Sequence, residues 1–594
     1  MTTYTAPLRD MRFVLHEVFA AEKTLTALPG LEDVTADVMD AVLEECAKLC
    51  QNVLHPLNQS GDLEGCTFKD GQVITPKGFK EAYKQYAEGG WCGLTASPDF
   101  GGQGLPEALD YFVAEMVGSA NLSFGLYPGL SQGTMLALAA HGTVELQQMY
   151  LPKLVSGEWQ GAMNLTEPHC GSDLGLLRSK AVPNGDVSFS VSGTKIFISA
   201  GDSDLVDNVV HLVLARLPDA PEGSRGISLF LVPKLFVNAD GSLGARNALS
   251  VGSIEHKMGI KGSATCVMNF DGAKGWLVGQ PHKGLACMFT MMNKERMFVG
   301  AQGISQSELA YQNATAYAKD RLQGRAEDGA KRPDKAADPI LVHPDIRNKL
   351  LYARAVVEAQ RALALYAHMQ VDISHRHADA AVRERADDMA GILTPIIKAG
   401  GSGFGSEITN LCLQVFGGHG YVREWGMEQM VRDVRITEIY EGTNTIQSLD
   451  LIGRKLGLGG GRLVKGFMAE TDLLLARAKG QTVMAEFIGP FKDARDKLAA
   501  CTQWIVDQSQ ADPNLRGAVA NDYLRMFTIT CMAWMWVLMV EAALPKKDSG
   551  DSFYATKLQV ARFFIAKVLP QIASLDALIR TGSAATMAVP EAAF

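Results

Sequence analysis

At 594 residues the chain is too long for a single hydrophobic core and is expected to fold as several packed modules. Apolar residues make up 47% of it, which excludes disorder over most of its length, and a net charge of −9 argues against nucleic-acid binding, which goes with a basic excess. The ten Cys are scattered. Cys46 and Cys50 share one face of a helix, but no second Cys/His pair completes a zinc site, so the expectation is reduced, buried thiols and no metal.

In chain order, Arg9-Asp10 and Glu17 interrupt any apolar leader and also count against a transit peptide, so a cytoplasmic protein is expected. Residues 1–34 read as an arm with a short helix from Met11 to Phe19. A first helical domain is expected over 35–160. Thr35 serves as its N-cap, and Val38, Val42, Cys46, Leu49 and Val53 form an apolar stripe at helical spacing. The Gly-rich loop Asp99–Gly104 lacks a preceding buried strand and a following Lys-Ser/Thr, so it is not a phosphate-binding loop.

The texture changes over 161–280. Val187–Ser192 alternates with period two, and Asn208–Leu217, Gly226–Val232 and Ala264–Phe270 are short β-rich runs, which together make a β-domain. Helical spacing returns over 281–456, broken by the charged loop Arg321–Lys335. Gly457–Gly461 is a linker, and 463–590 reads as a separate C-terminal helical bundle. Within that bundle Met526–Val540 is uncharged, but it is shorter than the ~18 apolar residues a membrane span needs, so it is expected to be a buried core helix. Helices, a β-domain, then helices is an α+β arrangement.

Ile439-Tyr440-Glu441-Gly442-Thr443-Asn444-Thr445-Ile446-Gln447 places one carboxylate beside a glycine at the mouth of a helix. Gly442 frees the backbone, so Glu441 can swing towards a ligand. The alternative is a solvated Glu in the first turn of a helix, favoured there by the macrodipole. No G-x-G-x-x-G follows a strand, which removes a Rossmann dinucleotide site.

Three segments, in order, resemble the acyl-CoA dehydrogenase family. Met163-Asn164-Leu165-Thr166-Glu167-Pro168, running on to Gly171-Ser172-Asp173, looks like its T-E-P…G-S-D signature. Gln414-Val415-Phe416-Gly417-Gly418-His419-Gly420-Tyr421 looks like Q-x-x-G-G-x-G-Y, and Tyr440–Thr443 matches the Y-E-G-T segment that holds the family's base. The resemblance covers roughly 35–454. The flanking segments resemble a longer-chain subfamily that includes methylmercaptopropionyl-CoA dehydrogenases.

The resemblance implies a β-domain between two helical domains, with FAD and a thioester in the cleft they share, and a C-terminal helical bundle in addition. It assigns flavin contacts to Met163, Leu165, Thr166, Gly171 and Ser172, and further ones to Phe197, Ser199, Thr443 and Thr445. Here Phe197-Ile198-Ser199 stands where the family has Trp-Ile-Thr. A phenyl ring can still cover the flavin and a Ser can still donate a hydrogen bond. The alternative is a core Phe on an amphipathic strand. Arg321 and Gln323 of an R-x-x-G loop, with Gln414, Gly417 and Gly418, match contacts to the flavin of a neighbouring subunit, which implies a homodimer or homotetramer. A solvated surface loop is the other reading of Arg321.

On the substrate side the resemblance assigns Ser172, Asn293, Arg296, Gly442 and Arg454. Asn293 stands where many relatives carry Asp, and the later substrate Arg falls on Gly453, beside Arg454, which leaves Arg454 open to a plain helix-surface role. The activity implied is α,β-dehydrogenation of an acyl-CoA. Glu441 removes the α-proton, its backbone N–H helps to form the oxyanion hole, and the hydride goes to flavin N5. Electrons then pass to an electron-transfer flavoprotein. Candidate substrates are 3-methylmercaptopropionyl-CoA and medium- or long-chain acyl-CoA. Competing readings are an acyl-CoA oxidase that uses oxygen and a non-catalytic flavoprotein on the same scaffold.

Overall fold

The computed structural model describes residues Thr2–Phe594. They form two compact units. One comprises Glu45–Pro106 and Met116–Phe298; the other comprises the stretch ending at Glu44, Glu107–Glu115 and Val299–Phe594.

The helix α1, Ala36–Leu49, begins where the Thr35 hydroxyl accepts from the Val38 N–H. Its buried face is Met39, Leu43, Cys46 and Ala47, continuing to Cys50 and Leu54, whereas Val38 is exposed and Val42, Leu49 and Val53 are half-buried. The expected stripe is thus displaced by about one residue. Both rows have helical spacing, and only the neighbouring elements select the one that faces inward.

In the first unit, helix α2 (Leu122–His141) packs on strand β1 (Gln160–Asn164). The Ser131 hydroxyl accepts from the Gly161 N–H, and a Cβ at Gly161 would come 2.4 Å from Thr134. Beyond β1 run β2 (Lys180–Pro183), β3 (Ser188–Ser199), β4 (Val209–Arg216), β5 (Ile227–Pro233), β6 (Leu249–Ile254) and β7 (Thr265–Val278). β7 pairs β3, β3 pairs β2, β2 pairs β4, β4 pairs β5 and β5 returns to β7, so five strands close a ring. β1 pairs the β4 side and β6 pairs β7. β4 and β5 are buried almost throughout, which explains their near-continuous apolar sequence. A hairpin at Thr67–Lys69 and Gln72–Ile74, not anticipated from the helical spacing of 35–160, also belongs to this unit.

In the second unit, α3 (Gly284–Asp320, from Val299 onward), α4 (Pro344–Arg376) and α5 (Ala380–Val415) pack together. α3 and α5 cross backbone to backbone. A Cβ on Gly303 would lie 2.2 Å from the Gly401 carbonyl oxygen, and one on Gly401 would lie 2.5 Å from that of Gly300. α6 (Met427–Arg435) and α7 (Asn444–Asp450) follow. α8 (Leu515–Ala543) packs on α4 and α5, with the Trp536 indole N–H donating to the Ala355 carbonyl, and α9 (Ser552–Phe563) lies beside it. α8 is long and apolar enough to cross a membrane by composition, yet within Met526–Val540 every residue but Leu538 is buried in the unit, as a core helix requires. The C-terminal helices therefore do not stand apart, despite the Gly457–Gly461 linker: they complete the same compact unit as α3–α7.

A buried charge cluster ties the ends of this unit together. Arg361 of α4, 1% exposed, donates to Glu115 (2.8 Å), Glu308 (2.6 Å) and Asp10 (2.6 Å). Lys557 of α9 pairs with Asp10 and, at 2.8 Å, with Glu358. The N-terminal arm is thereby pinned to the C-terminal helices.

Candidate active site

The Glu441 turn lies between a short 3-10 turn, Ile436–Glu438, and α7. Glu441 has φ +56° and Gly442 φ +83°. The left-handed region costs a non-glycine residue of order 1–3 kcal/mol and persists only where its surroundings impose it. Gln447, wholly buried on α7, imposes it: its amide nitrogen donates to the Glu441 carbonyl (3.1 Å) and the Gly442 carbonyl (3.4 Å). The φ of +83° favours glycine at 442, and a Cβ there would also lie 2.8 Å from that same nitrogen and disturb the clamp. The Thr443 hydroxyl accepts from the Ile446 N–H and caps α7. Asn444 anchors the helix to α5, its side-chain oxygen accepting from Lys398 Nζ (3.0 Å) and Ser402 Oγ (2.9 Å). Thr445 is exposed and takes a 3.5 Å contact from the Asn521 amide nitrogen. Gln447, Lys398 and Asn521 were not singled out from the sequence. Nothing in their local spacing distinguishes them from ordinary helix residues.

In the unit that holds the sheet, Leu165 and Thr166 leave β1, and the Thr166 carbonyl accepts from Ile196 N–H on β3 (2.9 Å). This brings the T-E-P segment beside Phe197-Ile198-Ser199. Phe197 is 59% exposed with φ +60°, so the core-Phe alternative fails: its ring is held outward on a strained backbone. Met163 and Ser199 are half-buried, and Gly171 and Ser172 are exposed.

Glu167 does not point at this surface. It is buried and accepts from Arg178 N–H (2.8 Å), Ser179 N–H (3.0 Å), Ser179 Oγ (2.6 Å) and Lys195 Nζ (2.9 Å). Lys195 Nζ also donates to the Leu165 carbonyl (3.0 Å). Burial opposes the Glu167 charge, but the Lys195 ammonium and these donors outweigh it and hold the carboxyl down at about 2. Burial in turn pulls Lys195 down to about 8 against the attraction of Glu167. Glu167, His169 and Cys170 bring potential ligand atoms within 4.8 Å of one another, but these bonds already occupy both Glu167 oxygens. Lys195 and Ser179 are the pins that sequence reading missed. A lysine at an inward position of a strand was the available signal.

Arg321, Gln323, Gln414, Gly417 and Gly418 are all exposed. A cavity of about 620 Å³ gathers Arg321 with Tyr317, Phe416, His419 and Trp425, and Thr3 of the arm also lines it. Tyr317 stacks on Phe416 with centroids 4.1 Å apart, and His419 stacks on Trp425 at 4.6 Å. Gly417 has φ +57°, which favours glycine, whereas a Cβ on Gly418 would meet nothing within 4 Å, so packing within the chain does not account for that one. The loop after Arg321 is held by buried Asp338. Its carboxylate accepts from the N–H groups of Ala326, Lys331 and Arg332, which outweigh burial and lower its pKa to about 2.

Of the assigned substrate residues, Asn293 is exposed and Arg296 is 6% exposed, its guanidinium 5.8 Å from the Phe289 ring centre. Arg454 is exposed and forms an i,i+4 pair with Asp450 (2.6 Å).

In one unit the outward Phe197 beside a strand exit, and in the other the stacked aromatics beside Arg321, are each suited to contact a flat or anionic ligand. Four family models match in order: the acyl-CoA dehydrogenase N-terminal domain at 39–158, middle domain at 162–273 and C-terminal domain at 282–457, then the acetyl-CoA dehydrogenase C-terminal-like domain at 463–590. The chain is 40% identical to a 3-methylmercaptopropionyl-CoA dehydrogenase of Ruegeria pomeroyi, with 96% of each chain covered. It is 34% identical to a butyryl-CoA dehydrogenase of Syntrophomonas wolfei, over 100% of this chain and 99% of that one. An acyl-CoA dehydrogenase of Bacillus anthracis complexed with FAD shares the fold, with TM-score 0.75 and 21% identity over 93% of this chain and 90% of that one. The chain belongs to the acyl-CoA dehydrogenase family. It is an FAD-dependent oxidoreductase that dehydrogenates acyl-CoA thioesters.

Proposed function

We propose that Glu441 is the general base that removes the α-proton of the thioester. The observation that carries this is the left-handed Glu441–Gly442 turn, clamped by Gln447 at the mouth of α7. A carboxylate held on a strained, clamped turn can be aimed at one carbon. FAD, when bound, supplies the hydride acceptor for the β-carbon. Met163, Leu165, Thr166, Gly171, Ser172, Phe197 and Ser199 hold it from the sheet, and Thr443 and Thr445 lie beside the base. Arg321, Gln323, Gln414, Gly417 and Gly418 reach the flavin of a second copy. Their exposure and the aromatic-lined cavity support that assignment, and with it a homodimer or homotetramer. Asn293, Arg296, Ser172, Gly442 and Arg454 are the proposed thioester contacts.

The working domain boundaries are 1–34, 35–160, 161–280, 281–456 and 463–590, which the family-model matches support. The acyl group we assign is 3-methylmercaptopropionyl, on the 40% identity to the R. pomeroyi enzyme, with medium and long chains as the alternatives. Electrons leave through an electron-transfer flavoprotein. The relatives named are dehydrogenases, so an oxygen-using oxidase is not favoured. A reducing, cytoplasmic setting agrees with ten Cys that are all free thiols.

Glu441→Gln tests the base. The amide is nearly isosteric, so FAD and acyl-CoA still bind, but loss of a general base costs about 10²–10⁴ in rate. Anaerobic mixing with thioester, followed by flavin bleaching, reads the step. A variant within tenfold of wild type would remove Glu441 from this role.

A further inference from the structure

We infer that the C-terminal helical segment takes part in aiming the base, and that Asn521 of α8 is a positioning residue for the Glu441 turn. This rests on Glu441 being the base. The Asn521 side-chain oxygen accepts from Ser448 Oγ at 2.9 Å, and its amide nitrogen lies 3.5 Å from Thr445 Oγ1. Ser448 is 1% exposed. Thr445 and Ser448 are three residues apart, so both hydroxyls fall on one face of α7, and a single amide spans that face.

α7 is therefore gripped from two sides. α5 holds Asn444 through Lys398 and Ser402, and α8 holds Thr445 and Ser448 through Asn521. Between these grips Gln447 turns back and holds the carbonyls of Glu441 and Gly442. Rotation or sliding of α7 would carry the Gln447 amide with it and release the two left-handed residues it fixes.

Asn521 is presented from a rigid platform. A Cβ on Gly400 of α5 would lie 2.6 Å from Thr528 of α8, so the two helices touch with no slack. Arg525 lies 4.5 Å from the Phe404 ring centre and 3.0 Å from the Glu407 carboxylate, both on α5. The extension thus delivers one polar side chain to the helix behind the base as well as burying apolar surface.

The test uses full-length, FAD-loaded enzyme with Asn521→Leu, which keeps the volume and removes both polar contacts. Ser448 Oγ retains an acceptor in the Asn444 carbonyl at 2.9 Å, so no buried hydroxyl is stranded. Flavin reduction is followed anaerobically against pH with butyryl-, octanoyl- and 3-methylmercaptopropionyl-CoA, using whichever wild type reduces fastest. The limiting rate is expected to fall about tenfold, below the ~10²-fold that a full 1 Å misplacement can cost. Thioester affinity, FAD content and melting temperature stay near wild type, and the pH midpoint of reduction moves. Gln447→Met is expected to lose at least as much, and the double variant no more than Gln447→Met alone, because both act through one turn. Asn521→Leu decides the matter even where Gln447→Met does not fold. A wild-type rate and pH profile in Asn521→Leu would overturn the inference, as would a loss matched by an equal fall in melting temperature. Glu441→Gln run beside it separates the two failures. If that variant is inactive while Asn521→Leu is unaffected, only the role of α8 falls; if Glu441→Gln reduces flavin normally, the base assignment falls with it.

Discussion

Replacing Lys195 by Met should loosen the T-E-P loop while leaving every proposed flavin contact unsubstituted. The Lys195 ammonium is wholly buried and bonds the Glu167 carboxylate at 2.9 Å and the Leu165 carbonyl at 3.0 Å. Removing it leaves a buried carboxylate without its counter-charge, a change that costs about 3–5 kcal/mol. At about 1.4 kcal/mol per decade, local opening of the loop becomes roughly 10² to 4 × 10³ times more frequent. Hydrogen exchange at the amides of Thr166–Ser179 reads this directly, and FAD retention on gel filtration reads its consequence. Glu167→Gln combined with Lys195→Met removes both charges and should lose less than Lys195→Met alone. The pH dependence has a definite sign. The folded carboxyl sits at about 2, below its ordinary 4.5, so its stabilisation is complete above 4.5 and is lost as pH falls towards 2. Lys195→Met raises that carboxyl, so FAD is shed at higher pH than in wild type. Exchange within threefold of wild type in Lys195→Met would refute the pin.

Three further outcomes are expected. Arg361→Met takes the buried counter-charge from Glu115 and Glu308, leaves Asp10 with Lys557 alone, and should cost about 3–5 kcal/mol, seen as a lower urea midpoint; an unchanged midpoint counts against the cluster as a stabilising element. Arg321→Ala should weaken FAD retention while circular dichroism stays native, and full FAD content after dialysis would count against its reach to a second copy. Truncation after Gly461 uncovers the α4–α5 face that α8 buries and should give aggregation or a changed oligomer; a soluble product of unchanged subunit number and activity would show that packing role to be wrong.

The linear sequence carried a good deal of this. Period-two alternation and near-continuous apolar runs located β3, β4, β5 and β7, because strands reveal themselves through which faces they bury. Glycine beside Glu441 marked the turn, since a left-handed pair at a helix mouth needs one residue without a Cβ. The three motifs pointed to the family that the matching family models show, because such contiguous segments keep their spacing in the chain. What the sequence could not decide were partnerships between distant residues. Which row of α1 faces inward, Met39–Leu43 rather than Val38–Val42, depends on what packs against it. Glu167 meets Lys195 across 28 positions and Asp10 meets Lys557 across 547, and no local period records either pairing. Whether Phe197 is a core ring or an outward one turned on its backbone angle and exposure, and Asn521 of α8 meets Ser448 of α7 across 73 positions. Local spacing fixes which side chains share a face; the burial of charges, the sign of a strained φ and the reach of an amide are set by the third dimension, where energy depends on distance and not on sequence separation.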